Sequence, residues 1–283
     1  MKAPRFEYVR AESLDQVYSA FAKYGDGAMI LAGGQSLMPI LNMRLSQPKV
    51  LIDINLISEL SGIEQEGQLL KIGAINRHAE LASNPLVNRN LPLIASAIKH
   101  VAHRGVRKRG TLGGSLSHAD PAAEIPACAV ALDATIILKS CDGERRVKSD
   151  TFFRGVMSTE RKFDEILTAV EIPIQSEGDL WAFHELSLRK GDFALVGIAA
   201  TAKRSLNGVD DLKIVIFGCE ERPQVSDIAA KMAVSGASPD QIADEVSQQL
   251  NPMSDLSGNT NTKRIQARSL IKRCLLDLYE GKN

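Results

Sequence analysis

The chain has 283 residues, with 34 lysines and arginines balanced by 34 aspartates and glutamates. Its hydrophobic fraction of 44% and charged fraction of 24% are those of an ordinary globular protein with a full-sized core. The zero net charge removes the electrostatic ground for nucleic-acid binding, which needs a large basic excess. The longest apolar runs, such as residues 125–132, fall well short of the ~20 residues a membrane helix needs. The opening MKAPRFEYVR has no apolar stretch behind its charges, so no secretory signal and a cytoplasmic location are expected. Cys128, Cys141, Cys219 and Cys274 show no CxxC or CxH spacing, so the chain is expected to bind no metal and to keep reduced, mostly buried thiols.

In chain order, Phe6 to Val9 alternates like a strand, and Ser13 reads as the N-cap of a helix ending near Lys23. Leu14, Val17, Phe21 and Tyr24 fall on one face of that helix. An apolar strand over 28–32 runs into Gly33-Gly34-Gln35-Ser36, then a helix carrying Leu37, Ile40 and Leu41, and a strand over 50–54. A second region holds strands near 69–72 and 135–138, helices near 77–82 and 92–100, and a small apolar helix over 126–132. Asp142-Gly143 marks a hairpin, and a strand over 165–173 precedes the polar linker 175–179. The last part reads as strands over 181–187, 194–204 and 212–218, then helices over 225–235, 239–249 and 263–279. The expected division is 1–56, 57–177 and 178–283.

The chemistry sits in two glycine pairs. In 29-MILAGGQSLMP-39 an apolar strand ends in two glycines and a hydroxyl residue, and 111-TLGGS-115 repeats the composition. Paired glycines remove the Cβ atoms that hold a ligand off the backbone, and successive N–H groups in such a turn can converge on an oxyanion. Neither segment is GxGxxG or GxxxxGK[ST]. Two loops of this make-up suit a ligand with two phosphates, such as a dinucleotide.

These two segments, with 100-HVAHRGVRKRGTLGGSLSHADPAAEIP-126 around the second, resemble the medium, FAD-binding subunit of the molybdenum hydroxylases, and the resemblance runs over essentially the whole chain. It implies an α+β protein with a flavin fold of the vanillyl-alcohol oxidase type, built from two α/β subdomains. A C-terminal domain with a three-stranded antiparallel sheet and helices would flank the flavin. By the same resemblance, Leu31, Ala32, Gly33, Gly34, Gln35, Ser36 and Leu37 would wrap the FAD phosphates together with Thr111, Leu112, Gly113, Gly114 and Ser115. Val101 and Ala102 would line the cofactor, Glu124 would contact its adenosine end, and Ile166 and Leu167 would lie against the flavin. Phe193 would border the isoalloxazine ring. His118 reads as a hydrogen-bond donor near the cofactor, and no catalytic acid, base or nucleophile stands out.

The implied role is electron relay. A large molybdopterin subunit would hydroxylate the substrate, and a small subunit with 2Fe-2S clusters would pass electrons to this FAD for delivery to an external acceptor. The three subunits would form a heterotrimer, doubled into a dimer of heterotrimers. Two departures from the family pattern bear on the flavin's surroundings: Arg107-Lys108-Arg109 replaces Arg-Asn-Arg, and His184-Glu185 stands where relatives often place a lysine. The cations of 104–109 read either as a solvated face or as a docking surface for the iron–sulfur subunit. A self-contained flavin oxidase of the same fold and a scaffold subunit without flavin stay open as alternatives.

Overall fold

The computed structural model describes residues 2–205 and 208–282. It begins with a three-stranded parallel sheet in which Val50–Asp53 lies between Glu7–Arg10 and Ala28–Leu31. The crossover is the helix Leu14–Tyr24, whose Ser13 cap accepts from Gln16 N at 3.4 Å and whose Leu14, Val17, Ala20 and Phe21 are buried. Parallel strands need such a crossover, and the helix closes the small core against Val50, Ile52, Ile54 and Ile57.

The second sheet has five antiparallel strands, in the order Ile63–Glu66, Leu69–Gly73, Ile166–Pro173, Thr135–Ser140, Gly143–Lys148. Ile166–Pro173 is central and buried on both faces up to Ile172, so apolar residues occupy both faces and only Thr168 and Glu171 interrupt them. The Asp142-Gly143 signal is the expected hairpin, with Ser140 opposite Gly143. Ile63–Glu66 escaped the sequence reading because it is a mostly exposed edge strand with a polar sequence. The helix Glu124–Ala131 is buried at every position, so it shows no polar stripe.

The C-terminal sheet has four antiparallel strands, not the three the resemblance implied: Asp179–Ser187, Ala194–Ser205, Gly208–Phe217 and Gln224–Val225. The fourth is two residues long and pairs with Val215 and Ile216, too short to announce itself by alternation. It also takes the start of the expected 225–235 helix, which is confined to Ala229–Val234. One face of this sheet, with Phe183, Ala199, Val215 and Phe217, packs into the core that contains Glu124–Ala131. The other face, with Leu180, Val196, Ile198 and Ile214, packs on Pro239–Gln249 and Thr260–Glu280. The cysteines are unpaired, and only Cys141 is exposed. No helix among the described residues is long and apolar enough to cross a membrane.

Candidate functional site

A cleft of about 700 Å³ opens between the N-terminal sheet, the second sheet and the loop 189–193. All the residues singled out from the sequence line it except two: residues 32–37, Val101, Ala102, Thr111, Gly113, Gly114, Ser115, His118, Glu124, Ile166, Leu167 and Phe193. Leu31 instead faces a smaller cavity of about 440 Å³ behind the first loop, beside Tyr8, Asp53 and Asn55. Leu112 is 1% exposed and belongs to the core, so its side chain does not reach the cleft.

The two glycine pairs are not equivalent. In the first, Gly34 takes φ +70°, and the backbone N–H groups of Gly33, Gly34, Gln35 and Ser36 find no acceptor among the described residues. A row of uncommitted donors on a cleft wall is an anion cradle. The second segment is not a turn at all: Leu112–His118 is a helix capped by Thr111. Its N–H groups are already spent, Leu112 on Asn76 O, Gly113 on Ala74 O, Gly114 on Thr111 Oγ1 and Ser115 on Thr111 O. Glycine's poor helix propensity made it read as a turn. Gly113 is required by close packing, since a Cβ there would meet Ala74 Cβ at 2.7 Å. What this helix offers a ligand is its backbone surface and the hydroxyls of Ser115 and Ser117, which make no hydrogen bond among the described residues.

The loops are tied together by residues the sequence reading passed over. Asn55 Nδ2 donates to Ala32 O at 2.9 Å, the Arg77 guanidinium donates to Asn55 Oδ1, and its other terminal nitrogen donates to Arg109 O. A Cβ on Gly33 would overlap that same Arg109 carbonyl, so the two segments touch backbone to backbone. On the far wall, Arg145 grips Glu165 by two bonds of 2.7 and 2.9 Å, while Arg161 Nη1 donates to Glu165 O at 2.7 Å. Those contacts fix the start of the strand that carries Ile166 and Leu167. At the rim, Ala102 takes φ +38° and Arg107 holds its carbonyl and that of Val101. Phe193 is 73% exposed at the mouth.

The cleft's ionisable groups are shifted by burial. Glu124 is pushed up to about 8 by burial, with the charges of Glu185 and Asp120 adding to it and Arg107 opposing. His78, behind Gly110, is pushed down to about 4 by burial and by the nearby Arg107 and Arg77. No group of three or more His, Cys, Asp or Glu side chains able to hold a metal ion occurs among the described residues.

Residues 4–175 match the FAD binding domain in molybdopterin dehydrogenase, and residues 181–278 match the CO dehydrogenase flavoprotein C-terminal domain. The chain is 35% identical to the carbon monoxide dehydrogenase medium chain of Hydrogenophaga pseudoflava, covering 97% of each. It is 36% identical to the glyceraldehyde dehydrogenase medium chain of Sulfolobus acidocaldarius, over 98% of this chain and 100% of that one. Among solved structures, the carbon monoxide dehydrogenase of Hydrogenophaga pseudoflava superposes with a TM-score of 0.96 at 33% identity, covering 100% of this chain and 99% of the other. Quinoline 2-oxidoreductase from Pseudomonas putida 86 gives 0.94 at 35% identity, covering 99% of each. The cradle fits the group these matches name: free donors on one wall, bare backbone on the other, and room for an elongated ligand between. The chain belongs to the family of FAD-binding medium subunits of the molybdenum hydroxylases.

Proposed function

We propose that this chain is the electron-transfer subunit of its complex, taking electrons from 2Fe-2S clusters of a small partner and delivering them to an external acceptor. The substrate would be oxidised at a molybdopterin centre on a large partner, and the assembly would be a cytoplasmic dimer of heterotrimers. The observation that carries this reading is the row of uncommitted N–H groups at Gly33–Ser36 facing the glycine surface of Leu112–His118. Bound FAD supplies two-electron chemistry that can also run in single-electron steps.

The protein's part is position. The N–H groups of residues 33–36 would hold the pyrophosphate oxygens, with Gly113 and Gly114 allowing the closest approach and Ser115 adding a hydroxyl. Ile166, Leu167 and the Val101–Ala102 backbone would press on the cofactor's flat parts, with His118 and Glu124 as polar contacts. Phe193, at the mouth, would cover the end nearest the partner. We assign residues 1–56 and 57–177 to the two halves that grip the cofactor and 178–283 to the flank.

The test uses the purified chain and the reconstituted complex. The chain alone binds FAD in stoichiometric amount and leaves it oxidised when offered an aldehyde or N-heterocycle, whereas in the complex the flavin is reduced. Reduction of the flavin by substrate in the isolated chain would instead identify a self-contained oxidase or dehydrogenase. A chain that takes up no flavin would be a scaffold.

A further inference from the structure

Among the described residues that line the cleft, Arg161 is the only arginine or lysine. It stands between Ser158–Thr159 and Ile166–Pro173, half-buried, on the wall that carries Ile166 and Leu167. Its Nη1 is committed to two backbone carbonyls, Lys162 O at 2.9 Å and Glu165 O at 2.7 Å, the second of which opens the peptide to Ile166. Nε and Nη2 make no hydrogen bond among the described residues, and no carboxylate there lies within ion-pair distance. The acid next to it, Glu165, is already held by Arg145 through two bonds and accepts from Lys162 N at 2.8 Å.

A half-buried guanidinium without a counter-charge is costly, and a neutral glutamine could serve the same backbone carbonyls. Burial opposes the charge while Glu165 and Asp164 favour it, and an arginine stays protonated throughout. That charge, with one edge of the guanidinium uncommitted, is left for what fills the cleft. Residues 184 and 185, where the family pattern often has a lysine, supply no cation to it. His184 pairs with Asp277 at 2.6 Å, the Glu185 side chain is 1% exposed, and neither lines the cleft. The phosphate cradle at Gly33–Ser36 has its own donors on the N-terminal sheet, whereas Arg161 belongs to the wall of Ile166 and Leu167.

We propose that Arg161 is the cation that faces the flavin ring and raises its potential, by stabilising the negative charge that reduction leaves on the ring's N1–C2=O edge. The proposal rests on the reading of the cleft as the FAD site, with the ring against Ile166 and Leu167. Two electrons from donors of the iron–sulfur class and one solvent proton, bound at N5, convert the oxidised ring to an anion. Its charge spreads over N1 and the C2 oxygen; reoxidation sends the electrons to the acceptor and the proton back to solvent. The free Nε–H and Nη2–H of a guanidinium form a planar fork suited to such a pair of acceptors. A charge there binds the reduced ring more tightly than the oxidised one, and by linkage the potential rises.

The test measures the two-electron potential of the FAD-loaded chain at one pH, with dithionite and a reference dye. Arg161→Gln keeps a donor for the backbone carbonyls and removes the charge. It should lower the preference for the reduced form about 100-fold, which is about 60 mV at about 30 mV per tenfold. Arg161→Lys keeps the charge and should recover at least half of that fall. ADP, which carries the phosphates without the ring, should bind the flavin-free wild type and Arg161→Gln alike in calorimetry. A glutamine variant with the wild-type potential overturns the proposal, and so does a lysine variant as low as the glutamine one. A tenfold loss of ADP affinity in Arg161→Gln also overturns it, because the charge would then serve the phosphates. If Arg161→Gln holds no FAD, the wild type decides: a bound flavin titrating above free FAD supports the proposal, and one at or below free FAD overturns it. Failure of the wild-type chain to load FAD would instead refute the parent assignment of the cleft.

Discussion

Arg107 Nη1 donates to the carbonyl oxygens of both Val101 and Ala102, at 2.7 Å each, and so pins a stretch of the cleft rim in which Ala102 takes a left-handed conformation. The close approach of Gly191 to Ala102 O and His103 makes the neighbouring loop depend on the same pin. A φ of +38° costs an alanine of order 1 kcal/mol or more, and the charged bonds offset it.

Arg107→Met keeps much of the side-chain bulk and removes both bonds. The expected loss is about 2 kcal/mol of stability in urea titration, with a roughly tenfold weaker hold on FAD measured by equilibrium dialysis. Arg107→Lys should recover only part, because one ammonium does not reproduce the guanidinium's fixed fork. Unchanged FAD affinity in the methionine variant would show that the rim keeps its shape without the pin.

The two glycine pairs should answer differently to alanine. At Gly33 the added methyl meets the Arg109 carbonyl and, at 2.8 Å, Gly110 Cα, both backbone, so the two segments must part. Strain of about 3 kcal/mol corresponds to FAD binding weakened roughly 100-fold. At Gly114 the methyl's only close neighbour is Thr111 Oγ1 at 2.7 Å, a side chain that can rotate away. Losing that cap costs about 1 kcal/mol, and alanine in a helix returns about as much, so the stability of Gly114→Ala should stay near wild type. Equal stability losses in the two variants would contradict this account of the contact.

Two shifted groups give the chain without cofactor a pH signature of opposite signs. Glu124 rises to about 8 in the folded chain from a model value of 4.5, so between those values the folded state holds a proton that the unfolded state has lost. Stability from this group is therefore full below about 4.5, falls as pH rises through the window, and levels off above about 8. Glu124→Gln should flatten that decline by an amount on the order of a few kcal/mol. His78 drops to about 4 from 6.5, so its contribution is present above 6.5 and is lost as pH falls toward 4. Urea titrations of the wild type and Glu124→Gln across the Glu124 window check the first sign. Parallel curves would mean that Glu124 ionises freely in the folded chain.

That the two glycine segments line one cleft was legible because their signal is local: two glycines and a hydroxyl within a few residues. The tie between them was not, because Asn55 and Arg77 belong to neither loop, and Asn55 meets Ala32 across 23 positions and Arg77 meets Arg109 across 32. Nor does composition distinguish a free N–H from a spent one. AGGQS and TLGGS look alike as text, yet Thr111 caps a helix in the second, whereas Ser36 makes no cap hydrogen bond and the preceding N–H groups stay open. The four-stranded C-terminal sheet was beyond reach for a different reason, since a two-residue strand has no period.

The cations of 104–109 were read as one face, and the structure divides them. Arg107 turns inward to the rim, whereas Arg104, Lys108 and Arg109 are exposed and have no carboxylate within ion-pair distance among the described residues. Charge reversal at Arg107 would therefore damage the cleft and obscure any effect on docking. Arg104→Glu with Lys108→Glu leaves the pin intact and separates the two roles. If these cations meet an acidic iron–sulfur partner, the double variant should bind FAD as the wild type does. It should assemble with that partner more slowly, by about tenfold at low salt, and the difference should shrink as ionic strength rises. The salt dependence decides the matter, because a merely solvated pair of cations changes neither the association rate nor its response to screening.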